Sequence, residues 1–342
     1  MIFKLTLLER LLHQMHRLPT PVMDAFGSVI FGRALTIGVR RGVFEAVAVR
    51  PLTIEEIATK TDLSVVGVRL LVEAFEVAGY LRRVGDEYGV TSEGAKWLVQ
   101  GSPFYLGNLI RYFETLYTRW AYLEHSVERG SPPQSYLEMF GEEDWGVYVY
   151  GMRDLARLLL PEVRTKISLS RDIKRLLDIG GSHGLYAIDL CRRYSNLHAV
   201  IMDFDQALRH TRSMLKEEAI EDRVSLLAGD CRSVTLPEGQ DCVLLFNVVH
   251  GFNEEENSKL VERVLKVLVP GGKLYILDQI TEERQRSGLA RLLPLMVGLN
   301  LLNETGGNTY SFQQVRDWCS GAQSVQRIRL RLPGVSLIEA KK

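Results

Sequence analysis

The stretch Arg175-Leu-Leu-Asp178-Ile-Gly180-Gly181-Ser-His-Gly184 constrains this chain more than any other. A short apolar run ends beside an acidic residue, meets a glycine turn, and passes directly into the helical pattern Leu185-Tyr-Ala-Ile-Asp-Leu-Cys-Arg-Arg-Tyr194. That succession reads as a buried strand feeding a ligand-binding turn at a helix start, and it predicts an open, doubly wound α/β sheet. Glycines 180, 181 and 184 permit positive φ and let a ligand approach the main chain without meeting a Cβ, while Asp178 can accept hydrogen bonds at the strand end.

What the turn lacks narrows the ligand. A dinucleotide fingerprint needs glycine at its first, third and sixth positions, and counting from Gly180 the third is Ser182 and the sixth is Leu185. A phosphate-cradling P-loop needs Lys and then Ser or Thr after its last glycine, where Leu185 and Tyr186 stand. An acidic residue followed by Gly-Gly-x-x-Gly suits an adenosine-containing ligand without phosphate, S-adenosylmethionine, whose amino-acid end and ribose ask for hydrogen bonds. An ordinary strand-to-helix turn accounts for the glycines equally well, so the rest of the chain must decide.

His198-Ala-Val-Ile-Met-Asp203 reads as a second buried strand ending in a carboxylate. It lies about twenty residues past the turn, where an acidic side chain can grip a ribose diol. Val224-Ser-Leu-Leu-Ala-Gly-Asp230 repeats the pattern, and Asp241-Cys-Val-Leu-Leu-Phe-Asn-Val-Val249 leads into His250. Successive strands thus carry polar residues to the carboxyl edge, where open α/β sheets bind ligands. Each carboxylate taken singly has a helix N-cap or turn as its alternative, and for Asp205 that alternative is preferred.

These motifs resemble the S-adenosylmethionine-dependent O-methyltransferases of small molecules, the family of the plant phenolic and acetylserotonin enzymes and of many bacterial tailoring enzymes. The resemblance covers essentially the whole chain. It rests on residues 177–184, Met202-Asp-Phe-Asp205, Gly229-Asp-Cys231, Phe246-Asn-Val-Val-His-Gly-Phe252, Val269-Pro-Gly-Gly-Lys-Leu-Tyr-Ile-Leu-Asp278 and Thr305-Gly-Gly307. It implies that S-adenosylmethionine sits on Asp178, Gly180, Gly181 and Gly184, with Gly180 at its amino-acid end. Asp203, with Phe204 beside it, would bind the ribose; Asp230 and the Cys231 backbone would address the adenine, and Phe252 would stack on it. Met152 falls where the family places a methionine against substrate and cofactor. Four positions depart from the pattern: Ser182 replaces the usual third glycine, Phe246 a lysine four residues before the histidine, Gly251 an aspartate after it, and Thr309 a glutamate of many plant members. Asp278 is then the one remaining acid to orient the base.

The chemistry explains why a histidine is wanted. A phenol of pKa near about 10 is a poor nucleophile until its proton leaves, and an imidazole of pKa near about 6.5 accepts that proton near neutral pH. General-base help of this kind contributes about 10²–10⁴ in rate. His250 is the expected base, and Asp278, closing the strand Lys273–Asp278, is expected to fix its tautomer. Asn300 and Asn303, one helical turn apart, are candidate hydrogen-bonding partners of substrate oxygens, and the aromatic residues of 103–165 are candidate pocket walls.

A chain of 342 residues with 46% hydrophobic and 25% charged residues has room for two globular domains. The formal net charge of zero gives no pointer to nucleic acid or an anionic membrane. Cysteines 191, 231, 242 and 319 form neither a CxxC pair nor a metal spacing, so reduced thiols, a cytoplasmic location and no metal are expected. Lys4, Glu9 and Arg10 interrupt the apolar N-terminus, which does not read as a secretory signal; Leu5, Leu8, Leu11, Leu12 and Met15 recur at helical spacing instead. The longest apolar stretch, 292–302, is too short to span a bilayer.

Residues 33–98 carry a winged-helix pattern: capped helices opening at Thr53 and Ser64, then a two-stranded wing around Gly85-Asp-Glu. Such modules commonly bind DNA, and a ligand-sensing regulator is the alternative from another class. The would-be recognition helix sets Arg69 against Glu73 and Glu76, which is too little positive charge for phosphates. In the family the chain resembles, this module dimerises, so a homodimer is expected. The expected organisation is a winged-helix dimerisation domain over 1–102, a helical linker over 103–165 and a Rossmann-like methyltransferase domain over 166–342. The expected reaction is O-methylation of an aromatic small molecule; C-methylation, or other chemistry on the same cofactor, competes with it.

Overall fold

The computed structural model describes residues 6–135, 139–281 and 288–342. The chain divides into two compact units, Met1–Leu116 and Tyr117–Lys342.

The first unit is helical and closes on a small hairpin. Its helices are α1 (Leu7–Gln14), α2 (Thr20–Arg40), α3 (Val43–Ala46), α4 (Ile54–Thr61), α5 (Val65–Ala78) and α6 (Ser92–Leu98), and the wing strands β1 (Leu81–Val84) and β2 (Glu87–Val90) pair antiparallel between the last two. The starts follow the capping chemistry written in the sequence. Thr53 and Glu56 form a reciprocal capping box on α4, Ser64 accepts the Gly67 N–H on α5, and Gly79 ends α5 in the left-handed conformation. Phe44, Ile57, Val68, Val72, Phe75 and Leu81 make the core.

Helix α2 was not foreseen in full. Its 21 residues include a stretch of mean hydropathy 1.4 that is only 17% buried, so by length and composition it could cross a membrane. Asp24 and Arg33 break the apolar run in sequence without breaking the helix, and Val22, Phe26, Val29 and Ile30 stand exposed on it. Of the N-terminal apolar repeat, Leu5 lies outside the described residues, Leu8 and Leu11 on α1 and Met15 at its end are exposed, and Leu12 is half-buried.

The second unit begins at the end of α7 (Gly107–Arg119), continues through α8 (Leu123–Arg129) and α9 (Glu142–Lys166), and then builds a mixed sheet. The strands β3 (Arg175–Ile179), β4 (His198–Asp203), β5 (Val224–Ala228), β6 (Gln240–Phe246), β7 (Leu268–Thr281), β9 (Ser324–Arg329) and β10 (Val335–Lys341) lie in the order β5-β4-β3-β6-β7-β10-β9, and short β8 (Tyr310–Ser311) pairs with β7. Strands β3 to β7 run parallel; β10 enters antiparallel beside β7, leaving β9 on the edge. Helices α10 (Leu185–Arg193), α11 (Asp205–Glu217), α12 (Glu254–Val267), α13 (Leu289–Glu304) and α14 (Phe312–Trp318) complete the unit. Continuous apolar runs such as Cys242–Phe246 are what burial on both faces requires. Leu176, Leu244 and Tyr275 pack with α9 and α10 on one face, while Leu177, Val243 and Ile276 pack with α12 and α14 on the other.

Strand β3 lies between β4 and β6, so the order reverses there and a crevice opens at its carboxyl end. One detail differs from expectation. β6 stops at Phe246 rather than running to residue 249, because Asn247 takes φ 54°, and His250 sits on the 3-10 turn Val249–Gly251. Pro294 lies inside α13.

Candidate active site

The glycine turn is built around one buried carboxyl group, Asp178, and one half-buried, Asp203. Gly180 has φ +72° and donates its N–H to Met202 O at 2.7 Å, tying the turn to β4. A Cβ at Gly180 would stand 2.5 Å from Val248 Cγ2, and one at Gly181 would stand 2.4 Å from the Asp178 carboxyl carbon. The first contact shows that the turn after β3 presses directly on the turn after β6. Gly184, with φ +67°, opens α10. Asp203 accepts the Ser182 N–H at 3.1 Å and the Phe204 N–H at 2.8 Å.

Asp178 is fully enclosed and its Oδ2 has no hydrogen-bond partner among the described residues. Burial, reinforced by the charge of Asp203, pushes the Asp178 carboxyl up to about 8. Burial likewise pushes Asp203 up to about 6, against the pull of its two backbone donors. Two carboxylates with spare acceptor capacity beside a glycine turn repel phosphate and favour ammonium and hydroxyl groups. His183, within the glycine turn, is buried. Its Nδ1 accepts the Leu185 N–H at 3.2 Å, its ring meets Tyr186 edge-on, and burial followed by the nearby Arg153 charge lowers it to about 4.

Further along the edge, Asp230 follows β5 and is gripped by Arg232 through Nη2–Oδ2 at 2.7 Å, which holds its carboxyl below the usual range. The same guanidinium binds Glu256 at 2.9 Å and lies 5.2 Å from the centre of the Phe252 ring. The Cys231 carbonyl accepts from Arg263. Phe204 caps α11 and packs on Trp145 at 6.2 Å.

His250 and Asp278 come together as the sequence suggested. Their Nδ1 and Oδ1 atoms are 2.7 Å apart, with the imidazole 18% exposed and the carboxylate 1% exposed. An ionised carboxylate only accepts, so the ring hydrogen belongs on Nδ1 and the Nε2 lone pair is left available. Asp278 Oδ1 also accepts the Gln279 N–H at 2.8 Å, which fixes the carboxylate. Burial opposes charging of the ring, but the charge and hydrogen bond of Asp278, then the charge of Glu304 and the Gln279 side chain, outweigh it and raise His250 above its ordinary 6.5. The turn 305–308 clasps the histidine backbone: the Asn308 N–H donates to His250 O at 3.0 Å, and a Cβ on Gly307 would lie 2.1 Å from that oxygen.

The remaining candidates fare differently. Met152 lies half-buried on α9, and Asn300 accepts the indole N–H of Trp120 at 2.9 Å. Asn303 is buried with both ends engaged: Oδ1 accepts from Ser126 Oγ at 2.8 Å and Nδ2 donates to Arg119 O at 3.0 Å. Sequence reasoning missed the ion pair beside it, Arg119 Nη1 to Glu304 Oε1 at 2.9 Å, in which the side chains are only 4% and 6% exposed.

Residues 120–322 match the family described as the O-methyltransferase domain. The chain is 25% identical to a 3-hydroxy-5-methyl-1-naphthoate 3-O-methyltransferase of Streptomyces sahachiroi, over 94% of each chain. It is 26% identical to the acetylserotonin O-methyltransferase of Rattus norvegicus, over 86% of this chain and 69% of that one. The crystal structure of human N-acetylserotonin methyltransferase in complex with SAM superposes with a TM-score of 0.81 at 21% identity, covering 94% of this chain and 97% of the other, and so shares the fold. With more than half of its length matching that family, the chain belongs to the O-methyltransferases.

Proposed function

We propose that this protein transfers the methyl group of S-adenosylmethionine to a hydroxyl of an aromatic small molecule, with His250 as general base and Asp278 as its orienting acid. The observation that carries the reading is the 2.7 Å His250–Asp278 bond beside the glycine turn, with Nε2 left over as an acceptor. The donor set suits the cofactor. The unpartnered Asp178 Oδ2 and the glycine turn fit an α-ammonium group, Asp203 retains lone pairs for a ribose diol, and Asp230 with Phe252 would hold the adenine. When bound, S-adenosylmethionine supplies an electrophilic methyl on a sulfonium.

The chain's own residues do the rest. Nε2 of His250 takes the hydroxyl proton as the oxygen becomes a nucleophile, and Asp278 stabilises the imidazolium so formed. Alignment of the acceptor and exclusion of water supply the remaining acceleration. The names of the relatives support an aromatic acceptor, since naphthoate and acetylserotonin rings are flat and hydroxylated. The exposed apolar face of α2 supports a homodimer, and four unpaired cysteines support a reducing, cytoplasmic setting. Replacing His250 with Ala is expected to lower turnover by about 10²–10⁴ while cofactor affinity holds. Turnover left unchanged in steady-state assays would remove His250 from this role.

A further inference from the structure

The loop that follows β5 holds an arginine to which the mechanism above gives no role. Arg232 closes on Asp230 from several directions: its backbone N–H donates to Oδ1 at 2.8 Å, its Nε reaches both carboxylate oxygens at 3.1 Å, and its Nη2 reaches Oδ2 at 2.7 Å. The remaining arm, Nη1, donates to Glu256 Oε1 at 2.9 Å, and the guanidinium stands over the Phe252 ring, 5.2 Å from its centre. All three charged side chains are partly open to solvent. A single ion pair at such exposure fixes little, but a planar fork shared between two carboxylates and an aromatic face is satisfied in one arrangement only.

The far end of this bridge is itself anchored. Glu256 Oε2 accepts the Asn253 N–H at 3.1 Å and the Glu256 N–H returns to Asn253 Oδ1 at 3.0 Å, which is the capping box that opens α12. From the same helix Arg263 donates to the Cys231 and Arg232 carbonyls, each at 2.7 Å. The Phe252 carbonyl accepts from Tyr310 Oη at 2.6 Å and from Asn257 Nδ2 at 3.2 Å, so the backbone of Phe252 is pinned and its ring is what Arg232 steadies.

We propose that Arg232 is a positioning residue for the adenine end of the cofactor: it locks the Asp230 carboxylate and backs the Phe252 ring, so that polar edge and stacking face are set before the nucleoside arrives. The inference rests on the crevice holding S-adenosylmethionine with its adenine at Asp230 and Phe252. Side chains already held cost little to order on binding, and immobilising two of them in advance is worth about tenfold in affinity. A fixed carboxylate also discriminates. It accepts from the exocyclic amino group of adenine and repels the carbonyl oxygen that hypoxanthine carries in its place.

The test is calorimetric binding of S-adenosylhomocysteine, and of its inosine counterpart S-inosylhomocysteine, to the full-length protein. Wild type is expected to prefer the adenine ligand. Arg232→Met keeps the apolar stem and removes the fork; it is expected to weaken S-adenosylhomocysteine about tenfold and to cut the preference over the inosine ligand several-fold, with the melting temperature of the free protein held. Arg232→Lys reaches one carboxylate at a time and recovers part of both. Glu256→Gln keeps an acceptor for the α12 cap but loses the charge that anchors the fork, and added to Arg232→Met it should cost no further affinity, since both act through one bridge. Unchanged affinity in Arg232→Met overturns the proposal. So does an equal weakening of both ligands together with a lowered melting temperature, the mark of a merely structural ion pair. A wild-type protein that binds neither ligand would instead remove the cofactor reading on which the inference rests.

Discussion

Asp178 and Asp203 behave as groups waiting for a counter-charge. With Asp178 pushed up to about 8 and Asp203 to about 6, the first is largely neutral and the second largely ionised at pH 7. A ligand bringing an ammonium and a sulfonium favours ionisation of both, so its binding should release protons and its affinity should rise between pH 6 and pH 8. Calorimetry of S-adenosylmethionine binding in buffers of different ionisation enthalpy measures that release; affinity flat with pH and no proton release would contradict the assignment. The same shift has a folding consequence. Asp178 is raised above its ordinary 3.8, so the protein prefers it protonated, and stability is lost as pH climbs through that window toward 8. Asp178→Asn removes the penalty, and its melting temperature should gain on the wild type as pH rises from 6 to 9.

The elements position these residues through two turns that touch. β3 ends in a glycine turn and β6 in a left-handed Asn247, and Val248 fills the space that a side chain at residue 180 would need. A non-glycine residue at positive φ beside the expected base is strain of the kind that collects at functional sites. It explains why β6 is shorter than its apolar run: the chain must leave the sheet to bring His250 over the end of β7. Helix α2 poses a separate question, because it presents Val22, Phe26, Val29 and Ile30 unpartnered within its unit. Such a stripe calls for a second apolar surface. Phe26→Glu with Ile30→Glu is expected to convert a homodimer to monomers in analytical ultracentrifugation, and a wild-type protein that sediments as a monomer at micromolar concentration would contradict the dimer.

For the molecule as a whole, legibility in the sequence followed chain locality. The strand-turn-helix at 175–193, the carboxylates closing successive strands and the His250–Asp278 pairing could be read, because each depends on a short motif or on strands ending at one edge. The ion pair of Arg119 and Glu304 could not, since its members are far apart in sequence and each alone resembles a solvated charge. Asn303 looked available for substrate because spacing cannot reveal that Ser126 and Arg119 take both ends of its amide. Arg232 was passed over for the same reason: only the fold shows it joining Asp230, Glu256 and the Phe252 ring. Membership of the O-methyltransferases and the geometry at His250 converge on methylation of an aromatic hydroxyl. The most direct measurement is transfer of an isotope-labelled methyl group from S-adenosylmethionine to a panel of phenols, catechols and hydroxynaphthoates, with products identified by mass. The account predicts a labelled methyl ether and S-adenosylhomocysteine in equal amounts; label found on carbon, or cofactor bound tightly without transfer to any hydroxyl, would contradict it.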